Sequence, residues 1–443
     1  MHDLRHDYKS RKISPWGGIK FFYKTYVQSG IRDSLLQVDL PQKGSNRGYE
    51  SVDLVEGFMT SVVLGSRRLA HSEYIRQDEV IREIFGWERG MACASTFSRF
   101  FSKFSVDRNN EVFPAIMKSW FESMAVKKMT IDIDSTVITR YGKQEEACVG
   151  YNPTKPGRVS HHPLMAFCDD LKMVVNAWMR SGDSHSSTNM DEFFTELLEI
   201  VPAERIGLLR GDSGFCGEKI FQLLENQSTA VNYIIRMKHT PALINRILEQ
   251  STWIVSSQVA NQVKYCEFDY QAHGWSKPRR IVAALIPELG RQDQQQQVMF
   301  AEDEIRSNHR IMAFVTNSSL PCKEIHTLYN GRADCENRIK ELKYDYGIDG
   351  FALQQFGAME AAFRFTMLAY NIMSLFRQKV LLSQSAKRLN TIRFQCIAIG
   401  SYLGKSNGKK TLKLSAEGKR RHFLEHIFGN ADTLAPPFQF SNA

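Results

Sequence analysis

The spacing of apolar residues changes at Met129, and that change sets the fold class. Beyond it MTIDIDSTVI, HPLMAFC and KMVVNAWMR read as three consecutive strands. STNMDEFFTELLEIV then reads as a helix, RIGLLRG as a strand, CGEKIFQLLEN as a helix and AVNYIIRMK as a strand. Three strands followed by helix–strand–helix–strand is an α/β order. From Pro241 to Asn317 four more strand-like runs (TWIVSSQV, KYCEFDY, RRIVAALIP, RIMAFVT) and a glutamine-rich loop, RQDQQQQ, predict a β-rich insertion. Helical text returns with EIHTLYNGRADCENRIKELKYDYG and with AAFRFTMLAYNIMSLF, the most apolar stretch. Arg364 interrupts that stretch and it is too short to cross a bilayer, so it reads as a buried helix.

Before Met129 the text is helical. VDLVEGFMTSVVLG is followed by DEVIREIFG, closed by Gly86, and by STFSRFFSKF, opened by a Ser95/Thr96 cap. The last two have the outline of a helix-turn-helix. Phe97, Phe100, Phe101 and Phe104 make the apolar face of the third helix, which leaves Arg99 and Lys103 outside, able to meet phosphates or bases or simply to be solvated.

The 443 residues carry a net charge of +9, unevenly distributed. Between Arg377 and Arg421 twelve basic residues face one acid, Glu417, a surplus of +11 that leaves the remainder at −2. A basic C-terminal region on a near-neutral body fits a polyanionic partner. The strand-like runs TIRFQCIAIGSYLG and KKTLKLSA predict a folded β hairpin within it. The eight cysteines are scattered, with neither metal-ligand nor disulfide spacing, which suits a reducing cytosol. MHDLRHDYKSRK lacks the apolar core of a secretory signal.

Three segments each deliver a carboxylate. In IDIDST, strand alternation puts Ile131 and Ile133 on one face and Asp132 and Asp134 on the other. In LLRGDSGF, Asp212 follows an apolar strand and precedes a helix, at the carboxyl edge where open α/β sheets hold ligands. Arg332, Glu336, Lys340 and Lys343 share one helical stripe, and Cys335, Ile339, Leu342 and Tyr346 form the neighbouring apolar face, so Glu336 is expected at the boundary, half turned toward the core. Two aspartates at strand ends and a helical glutamate would make a hard-oxygen site suited to magnesium.

The run Tyr329-x2-Arg332-x3-Glu336-x6-Lys343 resembles the Y-R-E-K pattern of bacterial insertion-sequence transposases of the DDE type. DIDSTVITRYG, GYNPTKPG, RGDSGF and NGRADCENRIKELK are most similar to the IS-thirteen-eighty group. The resemblance implies an RNase H-like core interrupted by a β-rich insertion, with a helical N-terminal DNA-binding domain. On this reading residues 1–125 bind DNA, 126–240 and 318–382 form the split core, 241–317 the insertion and 383–443 the basic C-terminal region. Asp134, Asp212 and Glu336 would be catalytic and would hold two Mg²⁺ ions, with Mn²⁺ able to substitute; Asp132 is the alternative to Asp134. Tyr329, Arg332, Lys340 and Lys343 would contact DNA, as would Arg99 and Lys103. Trp253 and Trp275 are both candidates for the tryptophan that stabilises a DNA hairpin in relatives of this pattern, or buried structural side chains. The implied activity is binding of terminal inverted repeats, cleavage of the element ends and their joining to target DNA, by a homodimer in a synaptic complex, in the cytoplasm at the bacterial nucleoid and without membrane contact. A non-catalytic DNA-binding repressor and a structure-selective nuclease are the alternative readings.

Overall fold

The computed structural model describes residues 8, 12–185, 187–255, 263–287, 309–383 and 387–440, and the glutamine-rich run lies outside them. Nine strands form one mixed sheet: β1 (Met129–Ser135), β2 (Leu164–Cys168), β3 (Met173–Trp178), β4 (Ile206–Gly211), β5 (Tyr233–Arg236), β6 (Ile254–Val255), β7 (Lys264–Tyr270), β8 (Arg279–Pro287) and β9 (His309–Thr316). Their order is β6-β7-β8-β9-β5-β4-β1-β2-β3. β1 and β4 are parallel, as are β4 and β5, whereas β2 runs antiparallel to both β1 and β3. The strands between Pro241 and Asn317 continue this sheet: β9 pairs antiparallel with β5 and so covers an edge that would otherwise expose unpaired backbone groups.

Side chains alternate along the strands between two apolar layers. Ile131, Ile133, Leu209, Ile235 and Val315 join the main core, while Leu208, Ile234, Val282 and Phe314 pack beneath Ile325 and Tyr329 on the opposite face. The main core is continuous from Ile19 to Phe438. Helices α1 (Ile19–Gln28), α2 (Ser51–Val63), α3 (Glu79–Phe85), α4 (Ala94–Phe101) and α5 (Val106–Glu122) precede the sheet, α6 (Met190–Ile200) and α7 (Glu218–Glu225) connect its strands, and α8 (Cys322–Asn330), α9 (Ala333–Tyr344) and α10 (Phe356–Leu375) follow it. The apolar helix α10 is buried along almost its entire length between sheet and N-terminal helices. Phe101, Phe104 and Phe113 stack around Phe365, with centroids 4.7–6.3 Å away. On its other side Asn371 exchanges two 2.7 Å hydrogen bonds with the backbone of Val174, completing a strand edge with a side-chain amide.

Two local expectations change. α4 begins at Ala94 with Cys93 as its cap residue, and the cap is Glu73, whose carboxylate accepts from the Ala94 N–H at 2.8 Å, not Ser95 or Thr96. In the C-terminal region TIRFQCI is helical, because Leu389, Ile392, Cys396 and Ile397 recur at helical spacing and all enter the core. The hairpin itself runs through Ser401–Ser406 and Lys409–Leu414, turned at Asn407-Gly408, both at positive φ, the backbone that a two-residue hairpin loop requires. Among the described residues, no helix is long and apolar enough to cross a membrane.

Candidate active site

β1 and β4 bring the two aspartates together. Ile133 is in register with Gly211, so Asp134 and Asp212 stand side by side one residue further on, at the carboxyl ends of two adjacent parallel strands. Asp134 is buried; one carboxylate oxygen accepts from the Ser135 N–H at 2.8 Å and the other lies 3.1 Å from the Arg332 guanidinium. Burial raises its pKa to about 6; Arg332 opposes the rise, and the negative charges of Asp212 and Glu336 add to it. Asp212 caps the short turn after β4, accepting from the Gly214 N–H at 2.8 Å.

Glu336 sits in the first turn of α9 and is exposed, where the sequence placed it half toward the core. A two-residue turn, Gly331-Arg332, separates α8 from α9. The inward face of α9 is instead filled by Cys335, Ile339 and Leu342, together with two charged side chains, Arg338 and Glu341, that take an ion-pair partner each, Asp334 and Arg377. Glu336 itself makes no side-chain hydrogen bond or ion pair among the described residues.

Asp132, the alternative first carboxylate, is fully committed. Arg210 holds both of its oxygens, at 2.6 and 2.7 Å, and also reaches Asp169 at 3.0 Å and the Leu328 carbonyl at 2.6 Å. Arg210 corrects the reading of LLRG as apolar: this buried cation ties β4 to β1 and to the end of α8. A second feature that sequence reasoning missed is His162, hydrogen-bonded to the Ser135 hydroxyl at 3.1 Å and to the Ser184 carbonyl at 2.7 Å. An arginine two residues before Asp212 was a signal for the first; the adjacent pair His161-His162 carried none for the second.

Among the described residues, no three His, Cys, Asp or Glu side chains close on one point as a finished metal site. The donor chemistry nevertheless suits a hard cation. Asp134, Asp212 and Glu336 offer only carboxylate oxygens, and their like charges act on one another through the buried end of β1. A family model, transposase DDE domain group 1, matches residues 2–435. The chain belongs to this family.

It is therefore a DDE-type transposase. No curated protein matches it significantly. Among solved structures it is similar to the piggyBac transposase in a synaptic complex with hairpin DNA, at 11% identity and a TM-score of 0.40, over 85% of this chain and 78% of that one.

Of the basic and aromatic candidates in the transposase, three approach the carboxylates. Arg332 is buried and donates to the Ile133 carbonyl at 3.1 Å as well as meeting Asp134. Lys343 donates to the Val137 carbonyl at 3.0 Å; burial lowers its pKa, against the pull of Asp349 and Asp134. Tyr329 is buried with its ring 4.7 Å from Phe314, and burial raises its hydroxyl pKa while Arg332 and Arg236 lower it. Lys340 faces elsewhere, onto a cavity shared with Asn337, Arg338 and Arg377. Arg99 on α4 and Lys103 just after it are exposed and border a cleft with Lys43 and Arg47 that none of the three carboxylates lines. Both tryptophans are packed: Trp275 is buried edge-on to Phe221 at 5.1 Å and beneath Arg279, and Trp253 is half-buried with its indole N–H donated to the Gln250 carbonyl at 2.9 Å.

Proposed function

We propose that this transposase binds terminal inverted repeats, cleaves the element ends and joins them to target DNA, with Asp134, Asp212 and Glu336 as the catalytic, metal-holding carboxylates. The observation that carries the reading is the pairing of Asp134 with Asp212 at the ends of adjacent parallel strands, with Glu336 close enough to raise the Asp134 pKa. The strand order β3-β2-β1-β4-β5, with β2 antiparallel, supports an RNase H-like core, and the commitment of Asp132 to Arg210 supports Asp134 as the first carboxylate. The Tyr329, Arg332, Glu336 and Lys343 spacing supports the Y-R-E-K pattern and the IS-thirteen-eighty group.

Two Mg²⁺ ions, when bound, would supply the Lewis acidity that activates a water or a DNA 3′-hydroxyl and neutralises the departing oxygen. Arg332 anchors the Asp134 carboxylate and the β1 backbone together and offers its remaining N–H groups to a phosphate. Lys343 adds a point charge beside the same strand end, and Tyr329 closes that wall against solvent. Lys340, Arg99 and Lys103 would meet the DNA backbone further out, the last two from the helical segment 1–125. A homodimer acting in the cytoplasm at the nucleoid completes the reading.

Asp134→Asn, Asp212→Asn and Glu336→Gln are each expected to abolish Mg²⁺- or Mn²⁺-dependent cleavage of a duplex carrying the element end while DNA binding persists. Undiminished cleavage by any one of them removes that residue from the catalytic set. Incubating cut ends with plasmid tests the joining step: joined products are expected, and their absence beside normal cleavage would leave a nuclease.

A further inference from the structure

Two motifs remain without a role in the chemistry above, the TRYG run after β1 and the NPTK loop. They lie together. Asn152 donates to the Thr139 hydroxyl at 3.0 Å, and the Lys155 ammonium bonds the Tyr141 hydroxyl and sits 4.9 Å from its ring centroid. Tyr141 is nonetheless 70% exposed. It lines a cleft of roughly 970 Å³ between a small three-stranded sheet (Ile138–Thr139, Cys148–Val149 and Val159–His161) and the turn that follows α2, together with Arg67, Arg68, His71, Arg140 and Gln144.

The cleft adjoins the catalytic helix. Arg67 donates to the Lys343 carbonyl at 3.1 Å and to Asp349 at 3.0 Å, and Arg140 donates to the Asp349 carbonyl at 3.1 Å. Arg68 is exposed and makes no side-chain hydrogen bond or ion pair among the described residues. Three arginines against the single carboxylate of Asp349 favour a polyanion. An exposed aromatic ring adds a preference that charge alone does not. Bases in a duplex have their π faces covered by neighbours and present only their edges, whereas unpaired bases can stack on a side chain.

We propose that this cleft holds unpaired nucleotides of the DNA end, one base stacked on Tyr141 and the adjoining phosphates met by Arg68 and Arg67. The proposal rests on the transposase reading, because it takes the strand in the cleft to be continuous with the one at Asp134 and Asp212.

The test is binding of the full chain, without divalent metal and at low salt, to a short duplex of arbitrary sequence, either blunt or carrying a single-stranded thymidine extension. The wild-type protein is expected to prefer the extended duplex by about tenfold, the range that stacking one base provides. Tyr141→Ala should remove most of that preference and leave blunt-duplex affinity unchanged, Tyr141→Phe should retain it, and Phe394→Ala, which removes an exposed ring elsewhere, should not alter it. Replacing a thymidine of the extension with 2-aminopurine should give a fluorescence change that Tyr141→Ala abolishes. Equal wild-type affinity for the two DNAs, or a Tyr141→Ala protein that keeps the preference, overturns the cleft assignment and leaves the transposase reading intact. No binding to either DNA at low salt overturns the cleft assignment together with the proposed binding of DNA ends, while membership of the transposase family, which rests on the match over residues 2–435, stands.

Discussion

Arg210 on β4 grips Asp132 on β1 with two parallel hydrogen bonds of 2.6 and 2.7 Å, and both side chains are almost wholly buried. This pair sets the relative position of the strands whose next acidic residues are Asp134 and Asp212. Removing the cation alone leaves a carboxylate without a full partner in the interior. Arg210→Met is therefore expected to destabilise the protein by about 3–5 kcal/mol, and the double change Arg210→Met with Asp132→Leu to recover much of that loss. Urea denaturation of the two variants checks it; equal stability of both would mean that the pair is not coupled.

His161 supplies a pH dependence. The ring is fully buried, its Nδ1 accepts from Arg140 Nε at 3.0 Å and its Nε2 faces the Glu145 carbonyl at 2.9 Å, an arrangement that needs a neutral imidazole. Burial, with the nearby Arg140 charge, lowers its pKa to about 4. Between the unfolded value of about 6.5 and this one, the unfolded chain binds the extra proton, so stability falls as pH falls through that window and is unaffected by this group above it. The slope approaches about 1.4 kcal/mol per pH unit for one proton. Denaturation midpoints from about pH 7 to about pH 5 are expected to fall less steeply in His161→Gln than in the wild-type protein.

The sequence made much of this site legible. Period-two alternation in IDIDST and the strand-then-turn text of LLRGDSGF were enough to put Asp134 and Asp212 at strand ends, since both depend only on local backbone geometry. The pairing of β1 with β4 was not legible, because it rests on contacts far apart in the chain. The orientation of Glu336 was misread because the inward arc of α9 was drawn from its apolar residues alone; Arg338 and Glu341 are buried as well, which centres that arc further from Glu336 and leaves it exposed. Arg338 and Glu341 were hidden for a related reason: charged residues count as outward-facing until their partners, Asp334 and Arg377, are known.

The basic C-terminal region divides into charges that build the fold and charges that face water. Arg377 is buried against Glu341, and Arg393 donates to the Val62, Val63 and Asp345 carbonyls. Truncation after Phe376 would therefore remove part of the core along with the charge, and is expected to unfold the protein. Lys405, Lys409, Lys419 and Arg420 are exposed on the hairpin and the helix that follows it. Changing these four to glutamine is expected to lower the dependence of log K on log salt by up to about 0.9 for each DNA phosphate that is no longer neutralised, while stability holds. An unchanged slope would make this face a solvated one.

The two tryptophans separate a packing role from a DNA role. Trp275 lies in a buried cluster with Phe221 and Tyr270, under Arg279, whose guanidinium is also held by Glu218 and Glu225. Trp275→Ala is expected to cost about 3–5 kcal/mol through the cavity it leaves. Trp253 is half-buried at the start of the edge strand β6 and is held by one hydrogen bond to the Gln250 carbonyl. Its replacement by alanine should cost less than that of Trp275. If a DNA hairpin forms and Trp253 stabilises it, Trp253→Ala should leave first-strand nicking intact and reduce accumulation of the hairpin product. Normal hairpin yield from Trp253→Ala would assign Trp253 to packing alone.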